Sequence, residues 1–182
     1  LSHTAKTIRK NLRTLCEALG TSYDPSEDEA RAEAALERAK EMLGETEIAI
    51  DYTATPAPMS LARCLLEHGF RVTRIYADSI AADDQEDFRW LQEHAPDIAL
   101  YATVQVKLRV LPRETEKPTL AIGQKAAYFT GTKHFVNIVE GGGMYGFDGL
   151  CRLAELMEEA HRTERDARDF IQQKGLGCDS CL

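Results

Sequence analysis

The residues of this chain best suited to chemistry lie between His134 and Gly149, in the run HFVNIVEGGGMYGFDG. An apolar stretch ends in Gly141, Gly142 and Gly143, and an amphipathic pattern follows. Without a Cβ, successive backbone N–H groups can approach an anionic ligand at the start of a helix. The plain alternative is a connection that needs only positive φ. No Gly-x-Gly-x-x-Gly follows the first strand, and no Gly-Lys-Ser/Thr occurs.

A second candidate is the loop TATPAP, residues 53–58, after the first β-like run. Ligands of parallel sheets bind beyond the carboxyl ends of the strands. Thr53 and Thr55 would offer hydroxyls there, or Thr55 would cap the next helix with Pro56 at its first position. Lys125 could meet an anion, or simply stand exposed. His134 could ligate a metal or move a proton, against a structural hydrogen bond at a strand start. Cys178 and Cys181 form a C-x-x-C pair. Such a pair can hold half of a metal site or cycle as a dithiol, against a frayed tail. Cys151 falls beside an apolar helix stripe and is expected to be buried.

Positioning these residues requires an ordered set of elements. Ile8, Leu12, Leu15, Cys16 and Leu19 recur at helical spacing before Gly20. Ser26 and Glu29 have capping-box spacing ahead of a stripe of Ala32, Leu36, Ala39, Met42 and Leu43. Strand and helix then alternate. Strands are expected at 48–52, 72–76 and 98–101, with helices after residue 58 and over 84–94. The order β-α-β-α-β implies a parallel sheet with right-handed crossovers. Residues 104–117 read as a short helix and loop, 119–122 as a short edge strand, and 124–129 as a short helix. A strand over 134–139 leads to a helix from about Gly146 to Lys174, with Ala167, Phe170 and Ile171 extending its stripe.

The expected fold is α/β: a three-layer Rossmann- or flavodoxin-like domain. Its parallel sheet of four or five strands carries helices on both faces, with an N-terminal helical pair and a long C-terminal helix. The expected divisions are a helical segment over 1–45, the sheet domain over 46–160 and a helical extension over 161–182.

With 182 residues and a net charge of −8, the chain suits neither nucleic acid nor an anionic membrane surface. No apolar run approaches the roughly 18 residues of a membrane span. Five scattered cysteines do not suggest a secreted disulfide framework, so a reducing cytoplasm is expected. The chain does not open with Met, and reads as a fragment or a processed product.

The stretch from Ile122-Gly-Gln-Lys-Ala-Ala-Tyr to the Tyr145-Gly-Phe-Asp-Gly149 turn resembles the C-terminal part of nitrogenase component 1 type proteins. The Ile48-Ala-Ile-Asp strand and the helix around Leu61 to Gly69 resemble that family's strand–loop–helix repeat. The likeness spans about residues 46–160. It implies the last Rossmann-like domain of a multidomain oxidoreductase that pairs with other domains and a homologous subunit. Such proteins enclose an iron–sulfur or related metallocluster, or a substrate, and receive electrons from an ATP-dependent iron protein. Thr53, Thr55, Lys125, His134, Gly141, Gly142, Gly143 and Tyr145 become the candidate cofactor contacts. No residue is assigned as catalytic, and the isolated chain is expected to hold no cofactor and to be inactive. A non-catalytic cofactor-assembly scaffold and a small-ligand-binding module are the alternatives. In one respect the sequence departs from the family. Counting back from Gly146 puts Val136 where the molybdenum–iron subunit carries a cofactor-ligating His, and His134 lies two residues away.

Overall fold

A computed structural model describes residues 3–110 and 117–166. Helix α1 spans Ala5–Leu19 and α2 spans Ser26–Leu43. Gly20 ends α1 in the left-handed conformation, with its N–H on carbonyls of the last turn. The spacing of Ser26 and Glu29 does not produce a capping box. Ser26 is already helical, and its N–H and hydroxyl both donate to Asp24.

Five parallel strands follow: β1 (Glu47–Asp51), β2 (Arg71–Tyr76), β3 (Ala99–Tyr101), β4 (Thr119–Ile122) and β5 (Phe135–Val136). Their order is β3-β2-β1-β4-β5. The α/β reading of the sequence therefore holds, with two corrections. The 119–122 segment is not an edge strand, since β4 lies between β1 and β5 and is buried throughout. An all-apolar Leu-Ala-Ile run suits a strand covered on both faces. The last strand is shorter than the expected 134–139. Beyond Val136 the chain leaves the ladder, and the Asn137 side chain accepts a hydrogen bond from Gln124.

Alternate residues of the strands feed two unequal cores. Ile48, Ile50, Leu120, Ile122 and Val136 meet α2, α3 (Pro58–Glu67), α4 (Gln85–His94) and α6 (Gly146–Arg162). The stripe Ala32, Leu36, Ala39 and Leu43 of α2 belongs to this same core, packed on Leu150, Leu153 and Met157 of α6. Ala49, Ala121 and Phe135 face the other way, toward α5 (Gln124–Thr130) and Leu108. On that thinner side Tyr76 stacks between Tyr101 and Phe129, and burial pushes its hydroxyl up to about 12.

Between α3 and α4, Arg63 reaches Glu67 and Asp87, each at 2.9 Å. Its guanidinium also lies 5.0 Å from the centre of the Trp90 ring, which stacks on His94 one helical turn later. The long helix stops at Arg162, and residues 163–166 are not helical. The charged run Glu158–Asp166 has no apolar surface to follow past Ala160. The remainder of the expected helix, with Ala167, Phe170 and Ile171, lies outside the described residues.

Candidate functional site

All five strands point their carboxyl ends to one edge, and the strand order reverses between β1 and β4. Open α/β sheets bind ligands at such a switch point. Here a side chain of the protein fills it. Asp51 ends β1 and is fully buried. Its carboxylate accepts the N–H of Thr53 at 2.7 Å, Ala54 at 3.2 Å and Ala126 at 2.7 Å, together with the Thr53 hydroxyl. Ala126 lies in the first turn of α5, so Asp51 occupies the place an anionic ligand would take at that helix start. Burial raises its pKa and the four donors pull it back.

The neighbouring backbone is fitted to this carboxylate. Gly123 has φ +108°, and a Cβ there would come within 3.0 Å of the Asp51 carboxyl group. Helix α3 is closed in the same manner. Buried Asp84 accepts the N–H of Met59 at 2.9 Å and of Ser60 at 2.8 Å. Burial lifts its pKa to about 6 against the pull of those two bonds.

The glycine turn between β5 and α6 is built differently. Its backbone docks onto the loop after β1: Glu140 N–H donates to Thr53 O at 2.7 Å and Gly141 N–H to Ala54 O at 2.6 Å. Gly142 N–H and Met144 N–H close the turn on Val139 and Gly141 carbonyls. Residues 140–143 all have positive φ, Glu140 at +50°. Two kinds of glycine are present. A Cβ at Gly149 would collide with the Met144 backbone, whereas Cβ atoms at Gly141 and Gly143 would meet nothing within 4 Å. The first is demanded by internal packing. Of the second pair, Gly143 is exposed, whereas Gly141 is buried with room left beside its Cα.

A small pocket lies beside this contact, lined by residues of both the turn and the β1–α3 loop. Thr55, Gly141 and Tyr145 line it, with Leu61, Met144 and Leu153 as apolar walls. His3 enters from the N-terminal segment, its Nε2 3.0 Å from Thr55 Oγ1. The space left is about 20 Å³, enough for one water molecule. Thr55 does not cap α3 directly. The helix begins at Pro58, two residues later than Pro56, and the Thr55 hydroxyl accepts Ala57 N–H at 3.2 Å.

The other candidates scatter. The Thr53 hydroxyl is committed to Asp51. Lys125 donates to the Tyr52 hydroxyl and lies 4.5 Å from the centre of that ring. His134 precedes β5 at the opposite edge of the sheet, where its Nδ1 is 3.0 Å from Ala160 O. Cys178 and Cys181 lie outside the described residues. Cys151 is half-buried rather than buried, beside Arg31, which also pairs with Asp28 and Asp148. Asp51 could have been found in the sequence, as a lone carboxylate ending an apolar strand. His3 carries no such signal.

The described residues do not fit a metallocluster as ligands. Among them no group of three or more His, Cys, Asp or Glu side chains is placed to hold a metal. Cys16, Cys64 and Cys151 are free and lie on three different helices, and burial pushes the Cys64 thiol far up. Bare glycine backbone, one hydroxyl and apolar side chains are the materials of a wall.

These features define a Rossmann-like α/β domain with a glycine-walled pocket at the carboxyl edge of its sheet. The chain is similar in structure to nitrogenase Cp1 at pH 6.5, with a TM-score of 0.60 and 16% identity over 92% of its residues. It spans 38% of that longer chain. The likeness establishes a nitrogenase-like fold. No protein-family model matches the chain, and no curated protein matches it. Among the described residues no helix is long and apolar enough to cross a membrane.

Proposed function

We propose that this chain is one domain of a nitrogenase component 1 type oxidoreductase, forming a wall of a site that other segments complete. The pocket lined by Gly141, Thr55 and Tyr145 carries this reading, since it lies at the edge where such sheets meet ligands. In the whole protein the enclosed group would be an iron–sulfur or related metallocluster, or a substrate reduced by electrons from an ATP-dependent iron protein. Its metal ligands would come from outside the described residues. Other domains and a homologous subunit would supply them, in a cytoplasmic assembly without nucleic acid or membrane.

Full-length protein purified without oxygen and examined by metal analysis and electron paramagnetic resonance tests the reading. Bound iron with a cluster signal is expected, and Gly141→Ala should lower its retention at least tenfold while circular dichroism stays unchanged. Protein without iron or chromophore would overturn it and leave a plain ligand-binding module. A second reading is a cofactor-assembly scaffold, which would hold the same group without substrate turnover. Cluster transfer to an acceptor without turnover would select it.

A further inference from the structure

The pocket beside the glycine turn is closed by a group from the N-terminal segment. His3 donates its N–H to Ser60 Oγ at 3.0 Å, and its ring meets the Thr55 hydroxyl. That hydroxyl also accepts Ala57 N–H, and its own O–H is free to be donated to a lone pair on a ring nitrogen. Leu61, Ile138, Met144 and Leu153 surround the ring with apolar surface. The helix that follows is held at one end. Ile8 is the buried residue of α1, with Ala5 and Leu12 packed against the core, while Leu15 and Leu19 are 54% and 68% exposed. Its charged links, Lys6 to Glu86 and Arg9 to Glu29, lie at the surface, where such pairs contribute little.

We propose that His3 and α1 form a displaceable strap, and that the place of the imidazole is a binding site for a small neutral nitrogen heterocycle held by Thr55. The inference rests on the reading of this pocket as part of a ligand site, and assigns the guest's class and the device that excludes it. The ring shows what the pocket accepts: a planar group with one hydrogen-bonding nitrogen, flanked by aliphatic side chains. Charge is disfavoured, since burial of His3 lowers its pKa to about 4. The charged and titratable groups around it are the chain's α-amino group, which lowers its pKa further, Tyr145 from the glycine turn, and Asp84, which accepts the N–H of Ser60 at the start of α3. Lys6 and Glu86 pair farther out along the strap.

Imidazole is the probe, titrated at pH 8 into the 182-residue chain carrying His3→Ala. Saturable shifts of the Thr55, Gly141 and Tyr145 amide resonances are expected at millimolar concentration, as suits a ligand of five heavy atoms. Wild-type protein should need at least tenfold more, because His3 competes. Adding Thr55→Val to His3→Ala should abolish saturation. If His3→Ala fails to fold, hydrogen exchange of the wild type decides: α1 amides should exchange at least tenfold faster than those of α2. Equal imidazole binding by both proteins, no saturation in His3→Ala, or equal protection of α1 and α2 would overturn the proposal. Metal retention enters none of these readouts. A protein without iron leaves this test standing, and failure here leaves the iron measurement untouched.

Discussion

Two openings lie side by side at the carboxyl edge of this sheet, and each is filled by the protein itself in a different way. At the switch point Asp51 is a permanent occupant, bound by three backbone N–H groups and a hydroxyl. At the glycine turn the occupant is His3, held by hydrogen bonds to Ser60 of α3 and to Thr55, at the start of a helix whose buried residue is Ile8. The first arrangement converts a general anion site into part of the fold. The second keeps a neutral pocket available. In this sheet the switch point is occupied by the protein itself, and the proposed site lies one connection along.

The contrast can be broken most forcefully at Gly123. Gly123→Ala would drive a Cβ into the Asp51 carboxylate at φ +108°, and should lower stability by about 4 kcal/mol in urea denaturation. A loss below about 1 kcal/mol would show that Asp51 moves freely and is no fixed plug. Asp51→Ala comes next. It would strand the N–H groups of Thr53, Ala54 and Ala126, at a cost of about 3 kcal/mol, with Asp51→Asn costing less.

The strap is the place to sharpen the contrast, through its pH dependence. The His3 pKa is about 4 in the fold and about 6.5 when unfolded, so the unfolded state binds more protons between those values. The contribution of neutral His3 is full above about pH 6.5 and is lost as pH falls toward 4. About 2 kcal/mol of strap closure should vanish across that window. Asp84 runs opposite. Its raised pKa means that the folded state binds more protons between about 3.8 and 6, which favours folding as pH falls. Global stability should change less than strap closure does, and α1 hydrogen exchange measured in wild type and His3→Gln should separate them. The smallest effect belongs to the glycine turn. Gly143→Ala should cost about 1 kcal/mol for its left-handed backbone, while Glu140→Gly changes stability by less than about 1 kcal/mol.

Much of the fold was legible because helical stripes and β runs are local patterns. Leu36 and Ala39 of α2, and Leu150, Leu153 and Met157 of α6, sit on the faces that their spacing marks. Position within the sheet was not legible. Four residues of β4 read as an edge strand, because nothing in Leu-Ala-Ile says which strands will flank it. The pocket was visible in part. Thr55, Gly141 and Tyr145 come together, since each follows a strand end on the same edge. His134 shares their neighbourhood in sequence, yet one two-residue strand carries it to the opposite edge. His3 depends on a contact spanning 52 residues, with no local pattern to announce it.

Trp90, the sole tryptophan, gives the molecule a built-in optical reporter. Its ring is held between the Arg63 guanidinium and His94, at the seam of α3 and α4. Emission from this ring should follow the parting of those two helices and remain nearly constant when α1 lifts. At a single pH, a His3→Ala protein in which amide exchange of α1 accelerates while tryptophan emission matches wild type would show the strap opening on an intact domain. Simultaneous change in both signals would mean that the strap and the body unfold as one.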